Sequence, residues 1–360
     1  MKMLIKFTIL ACLFLATSLL GFGQIKTSAL VPVSVDSGDW TTAHMQGIAV
    51  DDARQFIYYS FTTMLVKTDM SGKLIGTVTG LQGTHLGDLA FHDGKVYASL
   101  EYKEKKAFYI AIFDTEKITE LDMPYDTAGL MTTVFVHEAA DDFVSEKYGC
   151  SGIDGVAIGT SPGSDSDEMK LMVGYGIFSD TKRSDNDHQI LLEYDLSRLS
   201  KENAPFDPEK PHKIGARHAE KYFIYTGNTT FGIQNLEYDV DSEDYWMAVY
   251  KGKKSAFPNY PLYLIDGSEA PVRKAVKGQE KEETGLFLSL KKAGVHHEPS
   301  GVYGFPTVPV QPATGFISLG DDFFYLAESG SRKEGQQYGI PTLFALDRKT
   351  FEFTPVSKRK

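Results

Sequence analysis

The sequence predicts an all-β fold, a five-bladed β-propeller, on three observations. Tyr and Phe are abundant, 19 and 23 in 360 residues, and helical periodicity is scarce; both favour strands. One short phrase recurs five times along the chain. A second phrase, an apolar strand ending in Asp, follows each copy of the first. Four antiparallel strands repeated radially are what a propeller requires.

The first phrase is a small or polar pair, an apolar strand, a turn and a second strand rich in Tyr, Phe and Val. Its copies start at Gln46-Gly47, Gly87-Asp88, Asp154-Gly155, Gln234-Asn235 and Thr314-Gly315. Their second strands are expected at 56–61, 95–100, 171–174, 245–250 and 323–327. The second phrase ends at Asp69, Asp114, Asp195, Asp266 and Asp347. Each Asp is placed to cap its own turn two residues on. Fourth strands are expected at 74–78, 118–121, 223–226, 272–276 and 351–356. The segment 122–150 lacks both phrases and reads as an insertion, although it is where a sixth blade would fit. A β-sandwich is the competing architecture.

The segment before the first copy has a separate character. Lys2 and Lys6 precede an apolar run from 7 to 20, and Gly21-Phe22-Gly23 closes it. That layout is a cleavable signal peptide over 1–23, followed by one propeller domain over 24–360. The expected location is therefore secreted or periplasmic, with no membrane span. Ile9-Leu10-Ala11-Cys12 also reads as a lipobox, but the apolar run continues beyond Cys12. Cys12 leaves with the leader, so Cys150 stands alone and no internal disulfide forms. The formal charge is −11, which argues against nucleic acid as a partner.

Loop lengths select a face. Turns on the far rim are mostly tight, at 51–55, 92–94, 239–244 and 320–322. The rim where inner strands begin carries 101–107, 122–151, 175–189, 251–261, 277–312 and 329–341. Long loops on one face of a rigid scaffold usually hold the site. The phrase alignment rings that mouth with His44, His85, Gln46, Asp88, Asp154, Gln234 and Asn235. Asp88, Asp154 and Asn235 form an oxygen-rich set suited to Ca²⁺ or another divalent cation. His44 and His85 suit proton transfer. Gln46, Gln234, Arg183, Tyr303 and Phe305 are candidates for contacting a small molecule or glycan. No nucleophile elbow, phosphate loop, HExxH or CxxC appears.

The strand starts Gln46-Gly47, Gly87-Asp88-Leu89, Asp154-Gly155, Asn235-Leu236-Glu237-Tyr238 and Thr314-Gly315 resemble those of plant-type glutaminyl cyclases, which are five-bladed propellers. The family's Glu-Gly falls on Gly87 here, with Asp88 one residue on, and its aromatic falls on Asp154. The starts are also similar, less closely, to those of lactonase and phosphotriesterase propellers, whose channel metal is held by Asn, Asp and Glu. The resemblance implies cyclase or metal-assisted hydrolase activity at the mouth. The residues themselves write no complete catalytic constellation, so the first reading is a binding module without turnover, with the metal-assisted hydrolase or cyclase as the alternative.

Overall fold

A computed structural model describes residues 31–357. The leader read over 1–23 lies outside the described residues. Five sheets, each built on an antiparallel meander, surround a central axis, so the structure is a five-bladed β-propeller. The inner strands are Met45–Val50, His85–His92, Cys150–Thr160, Thr230–Asp239 and Phe316–Gly320. Each begins within a few residues of its copy of the first phrase. The 122–150 segment adds no sixth blade.

Burial explains why blades rather than a sandwich form. Apolar clusters lie between neighbouring blades. Tyr58, Tyr109 and Val173 belong to a cluster spanning blades one to three, and Met172, Ile233 and Tyr263 to one joining three and four. Trp246 and Phe324 join four to five, and Ile57 and Tyr325 join five to one. Each sheet therefore buries both faces, one against each neighbour, and the ring stands without a disulfide.

Four of the five turn aspartates cap as expected. The Oδ1 atoms of Asp69, Asp114, Asp266 and Asp347 accept the backbone N–H two residues on, from Ser71, Glu116, Ser268 and Lys349. Asp195 instead takes the Lys170 ammonium at 2.7 Å.

Three expectations are corrected. Residues 118–121 are not the outer strand of blade two; Met131–Phe135 is. Fully buried Ile118 anchors the segment, which crosses to blade one. There Thr77 N–H donates to the Glu120 carbonyl, and Met123–Pro124 pairs parallel with that blade's outer strand. Val272–Ala275 is exposed throughout, too polar for a blade edge. It pairs with Thr284–Phe287, which extends blade three. Blade four keeps three strands, its edge met by single bridges at Phe305 and Leu290. Finally, 329–341 is not a loop. Phe323–Lys333 and Gln336–Asp347 pair along that whole stretch as a long hairpin.

The ring is closed by chain from its beginning. Residues 33–40 run along the third strand of blade five, with bridges Ser34 to Thr342 and Trp40 to Gln337. Val35 N–H donates to the Pro341 carbonyl at 3.1 Å and Leu343 N–H to the Val33 carbonyl at 2.8 Å. Glu352–Pro355 completes the same edge at its other end.

Candidate functional site

The inner strands meet at a polar junction on the axis. Asp88 is buried, and its Oδ2 accepts the backbone N–H of Val156 at 3.0 Å and of Leu236 at 2.9 Å. Asn235 Nδ2 donates to Asp88 Oδ1 at 2.9 Å and to the Gln46 carbonyl at 2.8 Å. One carboxyl thus ties blade two to three and four, and one amide ties four to one. Close approach depends on Gly47. A Cβ there would lie 2.7 Å from Asp88 Oδ1 and 2.8 Å from its Cα. Burial pushes the Asp88 carboxyl up, opposed by the N–H groups it accepts.

This arrangement tests the donor set expected for a divalent cation. Both Asp88 oxygens already face N–H donors, and Asn235 spends its amide hydrogens on other acceptors. Asp154 Oδ1 and Asn235 Oδ1 are the oxygens left without a partner. A cation would have to displace donors aimed at the same carboxylate, so the set fits a hydrogen-bonded tie better than a metal shell. Among the described residues no three His, Cys, Asp or Glu side chains group to hold a metal.

A cavity of about 450 Å³ opens at the rim where the inner strands begin. It is lined by His44, Gln46, His85, Asp154 and Gln234, the residues aligned from the repeat, together with Glu101, Lys103, Tyr250 and Phe231. The antiparallel pairing explains the newcomers. Glu101 lies opposite His85 and Tyr250 opposite Thr230, because second strands end on the rim where first strands begin. Reading that register would have found them.

Glu101 organises the mouth. Its Oε1 accepts Ile153 N–H at 3.0 Å, its Oε2 meets Lys103 Nζ at 2.9 Å, and His85 Nδ1 stands 3.7 Å away. Burial pushes the Glu101 carboxyl up to about 7, restrained by the Lys103 ammonium. Burial and the nearby ammonium press His85 down to about 4. Asp154 is raised well above the carboxylate range by burial and by the neighbouring acids Glu101 and Asp88. Gln46 Nε2 lies 2.9 Å from His44 Nε2 and donates to Thr62 Oγ1 at 3.2 Å. Burial lowers His44 as well. The mouth therefore holds two neutral imidazoles beside two carboxyls that keep protons unusually well.

The remaining ligand-contact candidates lie elsewhere. Arg183 grips Asp185 through two bonds and donates to the Glu146 carbonyl, bracing a loop. Tyr303 stacks on His296 at 4.2 Å in a hairpin outside blade four. Phe305 is buried against Trp246 in the core. The later part of the 277–312 stretch expected on the near rim instead runs along the edge of blade four, where Lys291 pairs with Asp244 of the 239–244 turn and Tyr303 shares a cavity with Asp266.

No family model matches the chain, and no curated protein matches it. Solved structures with a similar course of chain include the following three. RS223 β-xylosidase is 11% identical, covering 88% of this chain and 96% of its own at TM-score 0.43. The PQQ domain of pyranose dehydrogenase from Coprinopsis cinerea is 10% identical, covering 82% and 81% at 0.41. A calcium structure of the Trichoderma reesei carbohydrate-active enzyme family AA12 is 10% identical, covering 82% and 80% at 0.40. Likenesses of this degree carry nothing about chemistry.

Proposed function

We propose that the protein binds a small polar molecule at the mouth bounded by His44, His85, Glu101, Asp154 and Gln234. The observation that carries this reading is Asp154. Its side chain lines the cavity, is 7% exposed, and leaves Oδ1 without a hydrogen-bond partner. An orphaned buried oxygen beside a cavity costs about 1–3 kcal/mol unless something donates to it. A ligand hydroxyl or amide, which can donate or accept, would supply that bond whether or not Asp154 holds its proton.

The test is saturation-transfer NMR with small polyols, amines and amides on the wild type and on Asp154→Asn. Binders that lose affinity in the variant support the reading. Binders that are indifferent to it would place the site elsewhere.

A second reading is favoured by Glu101, held near neutrality beside His85. That pair suits acid–base turnover of the hydrolase or cyclase kind. Product release from lactones, phosphoesters or N-terminal glutaminyl peptides, abolished by Glu101→Gln, would establish it. Binding without product would leave the first reading alone.

A further inference from the structure

Phe231 stands out at the mouth. It is a bulky residue with φ +66°, in the left-handed region that disfavours side chains, and Gly232 follows at +75°. The two sit in a bulge where the pairing of blade four slips between Thr230 and Ile233. Bulges re-aim side chains, often next to sites. Here Phe231 is 51% exposed while it lines the cavity. Gln234, itself in the lining, donates to the Phe231 carbonyl at 3.0 Å and holds the turn in place. Glycine would adopt this backbone without strain, and nothing in the core needs the ring. The fold spends conformational energy to hold an aromatic face beside buried polar groups.

Resting on the binding reading above, we propose that Phe231 is a stacking platform and that the ligand class is a neutral pyranose. Three features choose the class. The ring offers a flat apolar surface, which meets the C–H face of a sugar. Asp154 Oδ1 and His85 Nδ1 are both without hydrogen-bond partners, so the ligand must bring polar groups at more than one point. Hydroxyls, which donate or accept, do this around a single ring. Third, Lys103 Nζ already lies 2.9 Å from Glu101 Oε2. A resident ammonium disfavours a second cation, which is the other partner an aromatic face with carboxyls would attract.

The test uses calorimetry and saturation-transfer NMR with D-glucose, D-galactose, D-mannose, D-xylose, N-acetylglucosamine, maltose and cellobiose, with benzylamine as the cationic control. At least one sugar is expected to bind through its C–H face. Phe231→Ala is expected to weaken that sugar about tenfold, and Phe231→Tyr to stay within about threefold, the range of one aromatic contact. Phe231→Gly separates this role from a structural one: it should lose the sugar while raising the melting midpoint, because strain is relieved. Sugar binding unchanged in Phe231→Ala, or a lower midpoint in Phe231→Gly, overturns the platform. Benzylamine binding without any sugar overturns the ligand class but leaves the mouth a binding site. If nothing binds, both readings fall.

Discussion

Asn235 reaches across the axis to Asp88, its Nδ2 2.9 Å from the carboxyl Oδ1, joining blade four to blade two. The same carboxyl accepts the backbone N–H of Val156 from blade three and of Leu236 from blade four. A propeller's blades touch mainly through side chains, so this junction fixes their relative positions at the centre.

Asp88→Asn should therefore be costly although it is nearly isosteric. One acceptor becomes an NH2 facing the N–H donors already aimed there, and a loss of about 3 kcal/mol is expected. Urea unfolding of the two proteins checks it. A variant as stable as the wild type would mean that the junction carries little of the ring's stability.

Gly47→Ala tests the close approach at the same point. The added methyl meets Asp88 Cα at 2.8 Å and Leu89 N at 3.0 Å, backbone that cannot swing aside. A loss of about 2 kcal/mol or more is expected. Gly94→Ala is the control: it has a positive φ but nothing within 4 Å, so only about 1 kcal/mol of backbone strain applies. Equal losses in the two variants would argue against crowding at the axis.

Stability against pH should report Glu101 and His85 with opposite signs. Glu101 is raised from 4.5 to about 7, so the folded protein holds a proton that the unfolded chain releases. Its contribution falls as pH rises from about 4.5 to 7. His85 is lowered from 6.5 to about 4. Its neutral folded form is lost as pH falls, so its contribution rises over about 4 to 6.5. Relative to the wild type, Glu101→Gln should gain stability as pH rises from about 4.5 to 7, and His85→Gln should lose it as pH rises from about 4 to 6.5, each by at most about 3 kcal/mol. Parallel profiles for the three proteins would refute the assignment.

Cation dependence follows from the donors around Asp88. With its oxygens engaged by N–H groups, neither EDTA nor added Ca²⁺ should move the melting midpoint by more than about 1 °C. A chelator-dependent drop of several degrees would show that a metal does displace those donors, and would restore Asp88, Asp154 and Asn235 as its ligands.

Much of this was legible in the sequence because the repeat carries it. The pairs at Gln46, Asp88, Asp154 and Asn235 begin inner strands, and His44, His85, Gln46, Asp154 and Gln234 do share one mouth. Glu101 and Tyr250 were missed because they end second strands, and only cross-strand register brings them opposite the starts. Phe231 was hidden by its bulge, which no spacing rule shows. The outer strand of blade two was misread because Ile118 looks like strand but is an anchor for a segment crossing to blade one. Apolar pattern tells which residues must be covered, not which neighbour covers them.

The clasp at blade five also bears on how the molecule is made. Ser34 pairs with Thr342, so the last edge cannot be sealed until nearly the whole chain is present. Loop entropy grows slowly with length, so the equilibrium cost is modest, but contacts so distant in sequence slow the search. Until residues 33–40 arrive, the third strand of blade five offers free N–H and C=O groups. A second molecule's segment would fit the same edge as well as its own. Refolding at high concentration should thus trade closed monomers for pairs that have exchanged this strip, a hazard inherent in any ring whose two ends share one blade.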